Sequence, residues 1–571
     1  MNKLFYEHLL FLYGSDRAAT LAERLAEKLE VYRARLPEVQ VPSPERVSEK
    51  DAILITYGDM VQAEGERPLQ TLADFLESQL AGLVSSVHFL PCFPYSSDDG
   101  FSVIDYYSVD PALGDWEDVA RFRQHFRLMF DDVANHISAH SEWFTRFKED
   151  DPAYRHFFTV VEPDTDLSAV FRPRTLPLLT AVSTKAGQKY VWTTFSSDQI
   201  DLNYAEPDVL LAMLDVLLFY VAQGAEFIRL DAIAYIWKEI GTSCIHLPQA
   251  HEIIKLMRSV LDEVAPQVSL ITETNVPHKD NISYFGNGSD EAQMVYNFSL
   301  PPLTLHAFHT GDAEILSQWA SGLTLPSHEV TFFNFLASHD GIGLQPAKGL
   351  LSDTAVSDMA DRVQKLGGLV SFKANGDGTK SAYELNINYL DALGDPGATE
   401  TNGLRAKRFL AAQAIMLALQ GVPGIYFHSL FGSQNWLDGV AETGRNRTIN
   451  REKLQKAALD AELQDENSLR HLVFSGYRTL LRARTNEPAF HPYARQRVVQ
   501  LHPSIFAFWR TAQNGRSRVL CLHNVANESV RVQLPTTVPF TDAISHSQYE
   551  IAEDKLLLLE PYDVLWLKTE S

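Results

Sequence analysis

The sequence predicts an α/β protein: a (β/α)8 TIM barrel with a small domain inserted after strand 3, a long loop region after strand 7 and an all-β C-terminal domain. Three observations carry this. Eight short apolar runs, β-branched or aromatic, recur along the chain as strands buried on both faces do. Helical periodicity fills many of the gaps between them. The series closes at eight, and no G-x-G-x-x-G follows the first run, as a doubly wound dinucleotide-binding sheet would carry.

In chain order, residues 1–50 read as an N-terminal helical extension packed on the main domain. Leu4, Leu9, Leu10 and Leu12 give an apolar face, and residues 18–36 are rich in Ala, Leu, Glu and Arg at helical spacing. Pro37, Pro42 and Pro44 break that pattern. The barrel spans 51–486, with strands at 52–57, 86–91, 128–133, 227–233, 270–274, 294–300, 330–337 and 424–429. Helices are expected at 68–83, 116–125, 208–223, 250–264, 313–321 and 404–419.

Two connections are too long for plain βα loops. Residues 137–205 follow the third strand and contain a strand-like piece at 190–195, so they form the inserted domain. Residues 341–405 follow the seventh and include the Gly-rich Ala374-Asn375-Gly376-Asp377-Gly378. Long insertions at the C-terminal ends of barrel strands shape substrate sites. Beyond 487, strands at 504–511, 517–525, 530–534 and 555–568 make the C-terminal β-domain, 487–571.

Composition bounds the function. At 45% hydrophobic and 21% charged, the chain is an ordinary globular one. Its net charge of −24, from 49 basic and 73 acidic residues, argues against nucleic-acid binding. A few local arginines still suffice for a small anion. Cys92, Cys244 and Cys521 lie too far apart for a disulfide framework or metal-ligand spacing. The N-terminus lacks a signal-peptide pattern, and the apolar stretch 209–221 is interrupted by Asp215, so the expectation is a cytoplasmic protein not inserted in a membrane. Flavin, nicotinamide and pyridoxal signatures are absent, and no cofactor is expected; the partners are small-molecule substrates.

The chemistry sits at the strand ends. The third strand ends in Asp131-Asp132, followed by Asn135-His136; the fourth ends in Arg229 and Asp231, the fifth in Glu273, the seventh in His339-Asp340. Residues at the C-terminal strand ends converge on one mouth. One acid at a strand end is more often a helix N-cap; four such features at four ends are harder to dismiss. Carboxylates on neighbouring strands, about 4.8 Å apart, can supply the separation of about 5–5.5 Å that a retaining glycosyl transfer needs. Asp231 is then the nucleophile, kept ionised by Arg229. Glu273 is the acid and base, and Asp340 stabilises the transition state and bonds two sugar hydroxyls.

Asp131-x-x-x-Asn135-His136, Arg229-x-Asp231, Glu273 and His339-Asp340 resemble, in order, the four signature regions of the α-amylase superfamily, glycoside hydrolase family 13. The resemblance implies the barrel, the inserted domain, the terminal β-domain and the roles just given. It further implies that His136 and His339 bind sugar hydroxyls, and that Asp98 and Arg447 grip the far side of the glucosyl ring. Asn135 matches a position used near calcium in many amylases. The branch the chain resembles does without that ion, so no metal is expected, and Lys238 and Lys279 are read as structural.

That branch is the sucrose-phosphorylase subfamily, on stretches such as Phe171-Arg172-Pro173-Arg174, Lys238-Glu239-Ile240-Gly241-Thr242 and His339-Asp340-Gly341-Ile342-Gly343. It implies phosphate in place of water, with Arg172 and Arg174 as an anion clamp on one face of a loop. Tyr383 and Glu384 match the acceptor loop, where sucrose phosphorylases have Tyr-Gln. Asn275 stands where they have His, and Phe171 where they have Tyr. The glucosyl subsite is kept and the acceptor subsite changed. Within the branch, Thr272-Glu273-Thr274-Asn275-Val276-Pro277-His278 is most similar to glucosylglycerate phosphorylases. Glu384 favours a neutral acceptor instead, which keeps glucosylglycerol as the alternative, followed by sucrose or its phosphate and by amylase-type hydrolysis.

Overall fold

The computed structural model describes residues 2–36, 46–374, 379–536, 538–551 and 555–569. The proline-marked break at 37–44 and the Gly-rich stretch at 375–378 lie outside the described residues. Eight strands close a parallel barrel: β1 (Ile53–Thr56), β2 (Ser86–Phe89), β3 (Arg127–Asp132), β4 (Ala225–Leu230), β5 (Ser269–Thr272), β6 (Met294–Tyr296), β7 (Thr331–Asn334) and β8 (Val422–Tyr426). Each pairs with its sequence neighbours, and β8 returns to β1 with Gly424 opposite Ile53. All strand residues are buried except Arg127 and Glu226, which pair with each other at 2.7 Å. Burial on both faces is why these runs are continuously apolar. Gly424 is required by packing, since a Cβ there would lie 2.3 Å from the Phe333 ring.

The apolar runs overestimate the strands. The fourth ends at Leu230, so Asp231 is the first residue beyond it, and Ile233–Tyr235 form a 3-10 turn. The sixth ends at Tyr296, the seventh at Asn334, and the eighth gives way to a helical turn at Phe427–Leu430. The ladder stops at the mouth, but the loops beyond it stay buried and therefore apolar. The helix expected over 116–125 ends at Arg121, with a capping box between Asp115 and Asp118 at its start.

Helices α1 (Lys3–Tyr13) and α2 (Ser15–Arg33) pack against α3 (Pro207–Ala222) and α4 (Pro248–Val264) on the outside of the barrel. Phe5, Leu9 and Leu12 are the buried face of α1, whereas Leu4 and Leu10 point outward. His8 bridges Glu252 at 2.8 Å and Ser259 at 3.1 Å. Asp215, which interrupts the apolar stretch of α3, receives Lys28 at 2.5 Å and the Tyr107 hydroxyl at 2.9 Å.

The insertion after β3 leaves and returns through one antiparallel pair, His136–Ser138 with Gln199–Asp201. Between them an antiparallel ribbon pairs Leu179–Thr184 with Gly187–Trp192. After β7 a three-stranded sheet joins Ile342–Gly343, Lys380–Asn386 and Leu369–Ala374, with the middle segment central. The C-terminal region holds a six-stranded sheet and a separate pair, Val530–Gln533 with Leu556–Leu559. Its expected last strand is split, and Arg495–His502 adds a strand the pattern did not announce.

Candidate active site

A cleft of about 680 Å³, its open mouth included, lies at the C-terminal end of the barrel. Asp231, Glu273 and Asp340 all line it. Asp98, His136, His339 and Arg447 line it as well, and so do Arg174, Asn275 and Tyr383. Three expected site residues do not. Arg229 lies beneath the floor, Glu384 is turned into the protein, and Arg172 is exposed, its guanidinium donating to the Leu176 carbonyl. The expected Arg172–Arg174 clamp is therefore not formed: only Arg174 reaches the cleft.

Arg229 organises the floor. Its Nη1 donates to Asp131 and, at 2.9 Å, to Asp231 Oδ1, while Nη2 lies 4.0 Å from Glu273 Oε1. The Phe101 and Tyr296 rings flank the guanidinium at 5.6 and 5.5 Å. The backbone fixes the two carboxylates as well. The Asp231 N–H donates to the Asp132 carbonyl at 3.0 Å, and the Glu273 N–H to Leu230 at 3.2 Å. Ala232 takes a left-handed conformation, φ 50°, and its N–H donates to Glu273 Oε2 at 3.3 Å.

Burial pushes Glu273 up to about 7, with Arg229 opposing and Asp231 and Asp340 adding to the rise. Burial raises Asp231 too, against Arg229 and His136. Arg229 is in direct contact with Asp231 and 4.0 Å from Glu273, so the proton this pair retains falls to Glu273. Burial would also raise Asp340, but Arg447, His339 and Arg451 hold it well below the ordinary carboxylate range.

Arg447 Nη1 lies 2.5 Å from Asp340 Oδ1. The same guanidinium meets Glu384 through two contacts, at 3.0 and 2.7 Å. Gly341 makes room for that carboxylate, since a Cβ there would lie 2.5 Å from Glu384 Cγ. The expectation that Glu384 presents an open negative charge to the acceptor is thus overturned; the charge is spent on Arg447. The His339-Asp340 turn is held from below by Asn450, which donates to the Ser338 and Asp340 carbonyls at 3.0 and 3.2 Å, and by Arg451, which donates to the His339 carbonyl at 2.8 Å. His339 stacks on Phe101 at 4.6 Å. His136 Nε2 donates to the Phe101 carbonyl at 2.9 Å.

Gln199, in the inserted domain, contacts Asp98 at 3.3 Å and His136 at 3.1 Å and lines the cleft. Nothing in the sequence announces it, 101 residues from Asp98. Tyr235 and Phe195 line the cleft as well, 5.5 Å apart edge to face. Arg451 does carry a sequence signal, standing four residues after Arg447 in Asn446-Arg447-Thr448-Ile449-Asn450-Arg451. Beside His136, Lys238 Nζ donates to Asn135 at 2.9 Å and lies 2.8 Å from Asp201. Among the described residues no cluster of His, Cys, Asp or Glu is arranged to hold a metal ion.

A closed parallel barrel whose strand ends gather three carboxylates around an arginine is the architecture of glycosyl-transferring amylase-type proteins, and the chain belongs to the α-amylase family. The family model for the alpha amylase catalytic domain matches residues 80–341. More narrowly, the chain is 49% identical to a glucosylglycerate phosphorylase of Spirochaeta thermophila over 98% of this chain and 97% of that one. It is 53% identical to a glucosylglycerate phosphorylase of Allomeiothermus silvanus, over 92% of this chain and 93% of the relative. The crystal structure of sucrose 6F-phosphate phosphorylase from Thermoanaerobacter thermosaccharolyticum shares the fold with a TM-score of 0.74, at 23% identity, covering 88% of this chain and 98% of that one.

Proposed function

We propose that the protein is a retaining glycoside phosphorylase that cleaves 2-O-α-glucosylglycerate with inorganic phosphate to α-glucose 1-phosphate and glycerate, reversibly, through a glucosyl ester on Asp231. The observation that carries the reading is the near-full-length identity of 49% and 53% to glucosylglycerate phosphorylases. The cleft geometry supports each step.

Asp231, ionised against Arg229, bonds to the anomeric carbon as the bond to glycerate breaks, and the departing oxygen takes the Glu273 proton. Phosphate then bonds to the same carbon from the vacated side, its proton passes to Glu273, and the ester releases Asp231. Two inversions leave the α configuration. Asp340, ionised against Arg447, stabilises the positive charge that develops on the ring. Asp98, His136, His339 and Arg447 hold the glucosyl unit, and Arg174, Asn275 and Tyr383 receive the acceptor or phosphate. A glycerate carboxylate beside Arg174 forms a charge-assisted contact. The case for glycerol rested on an open Glu384, and the pairing of that carboxylate with Arg447 speaks for glycerate instead.

No helix of the described residues is long and apolar enough to cross a membrane, and a reaction that consumes phosphate and releases a sugar phosphate fits the cytoplasm. The test is an acceptor panel with α-glucose 1-phosphate: glycerate, glycerol, fructose and fructose 6-phosphate. Phosphate release is expected to be fastest with glycerate. A tenfold preference for another acceptor (about 1.4 kcal/mol) contradicts the assignment, and equal glucose release with no acceptor indicates a hydrolase.

A further inference from the structure

Beneath the floor of the cleft lies a buried histidine that the mechanism above does not use. His88, in β2, is fully buried, and its Nε2 lies 2.7 Å from Asp131 Oδ2. A carboxylate only accepts, so Nε2 carries the proton and donates it. Nδ1 has no hydrogen-bond partner among the described residues. An unprotonated ring nitrogen tolerates that more cheaply than an N–H would. Burial lowers the ring's basicity, with Asp131 opposing and Arg229 adding to it, so the neutral form persists at neutral pH.

The contact continues toward the substrate. Asp131 Oδ1 takes Arg229 Nη1, and that same nitrogen reaches Asp231 Oδ1 at 2.9 Å. Asp131 and Asp231 therefore share one NH2 group of Arg229, whose position answers to the pull of both carboxylates. We propose that His88 is a positioning residue for the nucleophile: by donating to Asp131 it moderates the pull of Asp131 on Arg229 and leaves Arg229 shared with Asp231. The charged and titratable groups around the network are Asp131 on β3, Arg229 on β4, Asp231 beyond β4, Glu273 beyond β5, Tyr296 on β6, and His339 and Asp340 beyond β7. Asp132, also fully buried and pushed up to about 8 by burial, Asp131 and Asp231, is mostly protonated at neutral pH and adds little negative charge. This inference rests on Asp231 being the nucleophile.

The test compares His88→Met, which cannot donate, with His88→Gln, whose amide nitrogen reaches roughly where Nε2 stood. Phosphorolysis is followed from pH 5 to 8, with melting temperature measured in parallel. His88→Met is expected to lower kcat about 10- to 100-fold, the scale on which a group orienting a functional side chain acts. The KM for phosphate should hold within about twofold, a change worth under half a kcal/mol. The acid limb should move to higher pH, because Asp131 then draws Arg229 away and Asp231 becomes more basic. His88→Gln should restore the limb and most of kcat. If the three pH profiles superimpose and only the melting temperatures differ, His88 is structural and the proposal is overturned. Should His88→Met fail to fold, His88→Asn, too short to reach Asp131, takes its place against His88→Gln, with the same two outcomes. If Asp231→Ala retains turnover, the nucleophile assignment fails and the His88 proposal falls with it; superimposed pH profiles beside an inactive Asp231→Ala overturn the His88 proposal alone.

Discussion

Arg447 holds Asp340 and Glu384 with one guanidinium, at 2.5 Å to the first and 2.7 Å to the second. Asp340 lines the cleft and Glu384 lies in the strand Lys380–Asn386, so this arginine ties the cleft to the sheet that follows β7. Replacing Glu384 with Gln keeps the shape and removes the charge. The expected outcome is a loss of about 1–3 kcal/mol in transition-state binding, read as kcat/KM, similar for glycerate and glycerol. A selective gain for glycerate would mean that the carboxylate does face the acceptor.

Glu273 gives a pH prediction. Its first step needs the protonated acid, and burial pushes this group up to about 7. The kcat/KM for the glucoside should therefore fall as pH rises through about 7. Stability follows the same group. Its native value lies above the ordinary 4.5 of a glutamate, so the folded state holds the proton longer, and stability declines as pH rises between 4.5 and about 7. Glu273→Gln removes that decline. Its melting temperature relative to the unaltered protein should rise between pH 5 and pH 8, and a constant difference would argue against the shift.

Arg174 and Arg172 separate cleanly. Arg174 lines the cleft and Arg172 does not. Arg174→Ala should raise the KM for phosphate about tenfold or more, the cost of one charge-assisted contact, while leaving slow hydrolysis of the glucosyl-enzyme unchanged. Arg172→Ala should shift it by less than about twofold, as exposed charges do. Equal effects from the two would restore the clamp.

Lys238 places its charge against Asn135 and Asp201, which also bond each other at 3.0 Å. Lys238→Met takes the counter-charge from the fully buried Asp201, leaving it only neutral donors, the Thr194 N–H and hydroxyl and the Asn135 amide. Urea denaturation should show about 3–5 kcal/mol of lost stability. A loss under 1 kcal/mol would mean that Asp201 is neutral or satisfied without Lys238.

These contacts mark what a sequence can carry. Asp231, Glu273 and His339-Asp340 were legible because each charge follows an apolar run whose burial is readable, and barrel topology brings strand ends together. The eight strands were legible for the same reason, but not their ends, because loops such as 231–236 are as buried as the strand before them. Arg172 and Arg174 alternate in sequence, yet the loop turns between them, and only its path decides which one reaches the cleft. Glu384 was read as an open charge because its partner lies 63 residues away. Gln199 and the His88–Asp131 contact are likewise products of folding, with no local pattern to announce them.

The fate of the anomeric carbon decides the mechanism. Proton NMR of the anomeric signal during cleavage of 2-O-α-glucosylglycerate, with and without inorganic phosphate, tests it most directly. The prediction is α-glucose 1-phosphate, formed in step with glycerate and only when phosphate is present. First-formed β-glucose 1-phosphate, or free glucose released equally fast without phosphate, would contradict a glucosyl ester on Asp231 resolved by phosphate.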